Sequence, residues 1–139
     1  MFHKSEIAMK LFSLDNELDR FDFLAMEALK SKFPDAMKTD ANRLFECETK
    51  TWYYLEFDCR VRLYADSDSL FVKGLCAVLS DTAAKIGRDE AEKKIGFAEE
   101  CFRRGIIDGK RLRGLSALED EISAFAKKNF KNFYHNEEK

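Results

Sequence analysis

The 139 residues carry 24 basic and 26 acidic side chains, a net charge of −2 and 45% apolar residues: enough for one core-bearing domain, with too little basic excess for nucleic acid. Only two histidines occur, His3 and His135, each near an end, so neither a Ser-His-Asp or Cys-His pair nor a histidine-based zinc site is expected. No apolar run approaches the ~18 residues of a membrane span and Met1-Phe2-His3-Lys4 opens no apolar signal segment, so a reducing cytoplasm, off the membrane, is the expected home.

Ile7, Met9, Leu11 and Phe12 predict a short first helix ending near Ser13-Leu14-Asp15. Ser13 or Asp15 is expected to cap a second helix with Glu17 in its first turn. Leu18, Phe21, Ala25, Ala28 and Leu29 share one face of that helix, and Pro34 stops it because proline cannot continue the hydrogen-bond ladder. The period then changes. Trp52 to Phe57 is dense in strand formers, Asp58-Cys59-Arg60 is a turn, and Val61 to Ala65 alternates as a half-buried strand. Arg43-Leu44-Phe45 is expected to add a third strand ending at Cys47.

Asp66 to Ser69 offers side-chain acceptors and negative charge at a helix start, and the run Leu70 to Leu79 is apolar enough for a buried helix. Gly87 closes it or the turn beyond, Asp89-Glu90 open a short helix, and Phe97 to Arg104 form another. Gly109 precedes a last helix with Leu112, Leu115, Leu118, Ile122 and Phe125 on one stripe; the charged tail after Lys127 is expected to fray. The order predicts an α+β fold: a small antiparallel three-stranded sheet packed against several helices, one domain over 1–139 with its core in about 10–127.

The four cysteines, 47, 59, 76 and 101, are separated by 12, 17 and 25 positions and form no CxxC, which argues against a zinc ribbon, ferredoxin-type ligation and a disulfide framework. No metal is expected. Cys76 and Cys101 sit in apolar helical stretches and are expected in the core as small hydrophobes. Cys59 falls in the hairpin turn. Cys47, in Phe45-Glu46-Cys47-Glu48-Thr49-Lys50, occupies a polar break before a strand, where a reactive thiol has access. Glu46 and Glu48 oppose its thiolate, while Arg43 and Lys50 favour it.

Asn42 to Trp52 resembles the signature of the SufE family, with Arg43, Cys47 and Trp52 in the family's places. The family's glycine before the cysteine is Glu46 here, and its serine two places after is Thr49. Asp66-Ser67-Asp68, with Lys73-Gly74-Leu75 after it, resembles the family's second motif, and Arg111-x-x-Gly114-Leu115 its third. The resemblance spans roughly residues 10–127.

That resemblance implies a SufE/IscU-like fold and a sulfur acceptor for iron–sulfur cluster assembly. A cysteine desulfurase of the SufS or CsdA kind, holding pyridoxal phosphate, would strip sulfur from L-cysteine. Cys47 would take up the persulfide sulfur, stimulate the desulfurase and pass the sulfur to a cluster scaffold or other acceptor. No cofactor is implied on this chain. Asp66, Ser67 and Asp68 would begin a helix beside the Cys47 loop and hold its resting position; plain helix capping is compatible with that role. Arg111 would pair with one of those acids, Arg43 would support the loop, Trp52 would anchor the core and Gly74 would permit close helix packing. Two alternatives remain: a module that binds a desulfurase without transferring sulfur, which Glu46 motivates, and a cluster scaffold, which needs converging cysteines.

Overall fold

Ser5 accepts the Ala8 backbone N–H and starts α1 (Glu6–Phe12), as a hydroxyl before a helix should. The structure is a computed structural model describing residues 5–137, with side chains described through residue 132; His3 and the His135 side chain lie outside. Asn16, rather than Ser13 or Asp15, caps α2 (Glu17–Lys30) by accepting the Asp19 N–H at 2.9 Å, while Ser13 closes the end of α1. Two single 3₁₀ turns, Asp35–Met37 and Asp40–Asn42, lead to the hairpin β1 (Thr51–Phe57) and β2 (Val61–Ser67). The strands pair antiparallel from Thr51 opposite Ser67 to Phe57 opposite Val61. Cys59 sits in the connecting turn with φ +72°, exposed at the hairpin end away from Thr51.

The expected third strand does not form. Arg43 makes one isolated bridge to Trp52, and the Leu44 N–H reaches the Thr51 carbonyl at 2.9 Å. The chain then turns, with the Cys47 N–H on the Leu44 carbonyl, so the ladder stops after one step. The sheet therefore has two strands.

Ser69 caps α3 (Leu70–Ala84), whose Val72, Leu75, Cys76, Val78, Leu79 and Ala83 are buried. This helix is the centre of the fold, packed on α1, α2 and β2. It meets α2 at Gly74, where a Cβ would lie 2.3 Å from the Leu24 carbonyl oxygen. That contact sets the rotation of α2. Leu24 and Ala28 turn inward, whereas Leu18 and Leu29 of the expected face are 69% and 72% exposed.

The segment after Gly87 is a string of i→i+3 turns rather than a helix. One such turn costs as much conformational freedom as it gains in bonding, so without a buried stripe it does not propagate. α4 (Phe97–Arg103) follows, and then α5 (Gly109–Glu137). The predicted stripe of α5 holds, with Leu115, Leu118 and Ile122 buried and Leu112 and Phe125 partly so. It runs on to Ala126 and Phe130, which meets Phe57 edge-on at 4.9 Å; the helix does not end at Lys127. Residues 138 and 139 of the expected frayed tail lie outside the described residues. Among the described residues, no helix is long and apolar enough to cross a membrane.

Candidate functional site

The loop between Leu44 and Thr51 carries Cys47. Leu44 and Thr51 are buried, and Phe45, Glu46 and Glu48 are exposed between them. Two buried anchors with mostly exposed residues between them make a surface loop at the sheet end. The Thr51 and Ser67 hydroxyls are hydrogen-bonded at 3.0 Å, which ties the start of β1 to the end of β2. The Asp68 N–H donates to the Lys50 carbonyl at 2.9 Å, and the Ser69 N–H to Ser67 Oγ. Ser67 and Asp68 thus hold the far end of the Cys47 loop to the start of α3.

Asp66 points elsewhere. Its carboxylate receives Lys38 at 2.9 Å, Lys73 at 3.3 Å and the Ser67 N–H at 2.9 Å. Burial works against its charge, but the Lys38 hydrogen bond, the backbone N–H and Lys73 outweigh it and hold the carboxyl below its ordinary range. The expected pairing of Arg111 with one of these acids is not the one seen: Asp66 is held by two lysines, and Arg111 is engaged at the start of α5. There it pairs with Asp108 at 3.4 Å and covers the Phe71 ring at 5.2 Å. Asp108 also accepts the Arg111 backbone N–H, which caps the helix start.

Cys47 is half-buried, and its side chain lies against Gly114 in the second turn of α5. A cavity of about 210 Å³ opens beside it. Val72, Leu75 and Cys76 of α3 and Leu115 of α5 form its apolar wall; Glu48, Lys110 and Arg111 stand at its edge. Lys110 reaches Glu48 at 3.5 Å, a link between α5 and the loop made by two exposed side chains and so worth little.

Burial raises the Cys47 pKa above its ordinary value; a hydrogen bond with Thr51 works against this, Glu46 adds to it and Arg43 opposes it. The resting thiol is therefore protonated near neutral pH. Arg43 lies over the Phe45 ring at 5.4 Å and the Trp52 ring at 6.0 Å, and its buried Nε has no hydrogen-bond partner. Trp52 is half-buried and also faces Lys38, so it is a platform for cations rather than a core anchor.

The other thiols differ. Cys76 is buried beside the same cavity, and burial pushes its pKa up to about 12. Cys101 is buried, and burial also pushes its thiol far up. Cys59 stands about six residues of strand from the loop, which at ~3.3 Å per residue is roughly 20 Å. The four do not converge, and among the described residues no three His, Cys, Asp or Glu side chains are grouped to hold a metal ion.

The structure brings Cys47 and Arg111 around one cavity, with Arg43 on the same loop but outside that cavity's lining, and Ser67 and Asp68 at the loop's base. Residue-by-residue reading missed Gly114 and Thr51 as neighbours of the thiol. The visible signs of the first were a glycine in the interior of a helical stretch and its place in the third motif.

A family model described as "SufE: Fe-S metabolism associated domain" matches residues 5–126. The chain is 35% identical over 51 residues to the "Cysteine desulfuration protein SufE" of Wigglesworthia glossinidia brevipalpis, covering 35% of this chain and 35% of that protein. It is 36% identical over 70 residues to the chloroplastic quinolinate synthase of Arabidopsis thaliana, covering 48% of this chain and 10% of that protein. The chain thus spans about a third or less of the length of these curated relatives. The solution structure of a hypothetical protein from Thermus thermophilus superposes with a TM-score of 0.67 at 25% identity, covering 87% of this chain and 90% of that one.

Proposed function

The chain belongs to the SufE family, and from that premise we propose that it is a sulfur acceptor for a cysteine desulfurase, with Cys47 as nucleophile and carrier. The observation that carries this is the placing of Cys47: a half-buried free thiol on a two-anchor loop, beside an apolar cavity with a charged edge. In the transfer step the Cys47 thiolate attacks the outer sulfur of the desulfurase's cysteine persulfide. A new S–S bond forms on Cys47, the old one breaks, and the desulfurase cysteine leaves as thiolate. Nothing is oxidised or reduced overall, so the chain needs no cofactor for the step.

The apolar wall beside Cys47 would shield the carried persulfide from stray thiols and oxidants. The wide gap in basicity between the buried Cys76 thiol and an ordinary thiol keeps Cys76 out of the exchange. The desulfurase would gain turnover because its own persulfide is removed, and a cluster scaffold would take the sulfur onward. Free thiols of this kind suit a reducing cytoplasm.

Glu46 supports a second reading, a module that docks on a desulfurase without accepting sulfur, since its carboxylate disfavours the Cys47 thiolate. Intact-mass analysis after incubation with a cysteine desulfurase and L-cysteine separates the two. Sulfur transfer predicts the added mass of one sulfur, absent from Cys47→Ser. Stable docking with no added mass overturns transfer in favour of the second reading.

A further inference from the structure

A Cβ built on Gly114 would lie 2.4 Å from Cys47 Sγ, 3.3 Å from its Cα and 3.5 Å from its Cβ. All three nearest atoms belong to one residue, and that residue sits on the loop, not in the core. Gly74 makes the contrast: its nearest atoms are the Leu24 carbonyl and Cβ on another helix, so it sets the distance between two helices. Gly114 lies in helical backbone within α5, where glycine is the poorest former after proline. Its presence there calls for a packing reason, and Cys47 supplies it.

We infer that Gly114 is a positioning residue for Cys47: its missing side chain is the seat that holds the thiol in the sheltered state, and any larger residue drives the loop outward. The inference rests on the sulfur-acceptor reading for its purpose, though not for its geometry. A seated thiol is walled in and protonated. An unseated one leaves the apolar surroundings that raise its pKa and becomes both reachable and more readily ionised. Shelter and reactivity are thereby linked to one movement of the loop about Leu44 and Thr51. The chain hydrogen bond nearest the thiol, from the Cys47 N–H to the Leu44 carbonyl, is long at 3.3 Å, while the loop's ends are held by the Leu44 N–H on Thr51 and the Asp68 N–H on Lys50.

The test uses the full chain in a Cys59→Ser background, so that Cys47 is the reactive thiol. Gly114→Ala is expected to speed alkylation of Cys47 by iodoacetamide at least about tenfold near neutral pH and to lower the pH midpoint of that reaction. The charged groups around the thiol, Arg43, Glu46 and Glu48 from the loop, Asp108 just before α5, and Lys110 and Arg111 from α5, are untouched by the substitution. Gly74→Ala is the structural control and is expected to leave the alkylation profile of the folded protein in place. Should Gly114→Ala fold poorly, a second measurement decides. Gly114→Ala is expected to raise the unfolding equilibrium constant at least about tenfold with Cys47 present and less than about threefold in a Cys47→Ala background. An unchanged alkylation rate and midpoint, or equal stability losses in both backgrounds, overturns the inference. Neither arm contains a desulfurase, so failure of sulfur transfer would leave this result standing and tell against the proposed function alone.

Discussion

The Asp66 carboxylate receives the Lys38 ammonium at 2.9 Å, joining the end of β2 to the segment just after the first 3₁₀ turn. Lys73 of α3 closes on the same carboxylate at 3.3 Å. One buried acid therefore gathers three segments beneath the candidate site. Removing its charge leaves Lys73 without this partner and Lys38 with only Asp35, at 3.3 Å.

Asp66→Asn should cost about 1–3 kcal/mol of stability at pH 7, since Lys73 loses the charge it faces and Lys38 keeps only the exposed Asp35. The Asp66 pKa is lowered in the folded state, so its contribution is present above the unfolded carboxyl value near 3.9. It is lost as pH falls through the lower folded value. Urea unfolding of both proteins from pH 7 down to pH 2 should show the difference shrinking only at the acid end. A difference that is constant with pH would exclude the ionised carboxylate as its source.

Arg43 and Glu46 act on the Cys47 thiol with opposite sign. Arg43→Gln should slow Cys47 alkylation and Glu46→Gln should speed it, each within about one order of magnitude, because a single charge near a partly exposed thiol acts through a high effective dielectric. The measurement is the alkylation rate against pH in a Cys59→Ser background. A change of the same sign in both variants would show that loop exposure, not charge, sets the rate.

Glu119 of α5 is buried, and its carboxylate accepts the Ala98 N–H at 2.9 Å, at the start of α4. Burial raises its pKa to about 7 in spite of that bond and the Phe97 N–H. A raised acid means that the folded chain binds the proton more tightly, so stability falls as pH rises from about 4.5 toward 7 and levels off above. The span corresponds to on the order of 3 kcal/mol. Glu119→Gln keeps an acceptor for the helix start without a charge to bury, and should flatten this part of the thermal-stability profile. An equally sloped profile in the variant would place the titration elsewhere.

Local chemistry was legible along the chain. The hydroxyl of Ser69 before an apolar run marks the start of α3, and the three- and four-residue steps from Leu112 to Phe125 mark the buried stripe of α5. Both rest on interactions within a few residues, which a linear pattern records. The hairpin was legible for the same reason. The third strand was not, because a one-residue bridge and a turn after Leu44 leave the same sequence trace as a short strand end. The rotation of α2 was hidden too: Leu18 and Leu29 are as apolar as Leu24, and only the close approach at Gly74 decides which of them is buried.

At the site, Cys47 stood out by its polar setting and by motifs in the right order. Arg111 was visible as a residue but not by its partner, since Asp66 is satisfied by Lys38 and Lys73 from two other segments. Sequence by itself determined which residue types exist, where helices begin, and which cysteine lies in a polar break. Tertiary structure alone decided that Gly114, 67 positions further along the chain than Cys47, supplies the space its sulfur occupies. The physical reason is that propensity and capping act over a few residues, while steric fit depends on which backbones the packed core brings within a few ångströms of each other.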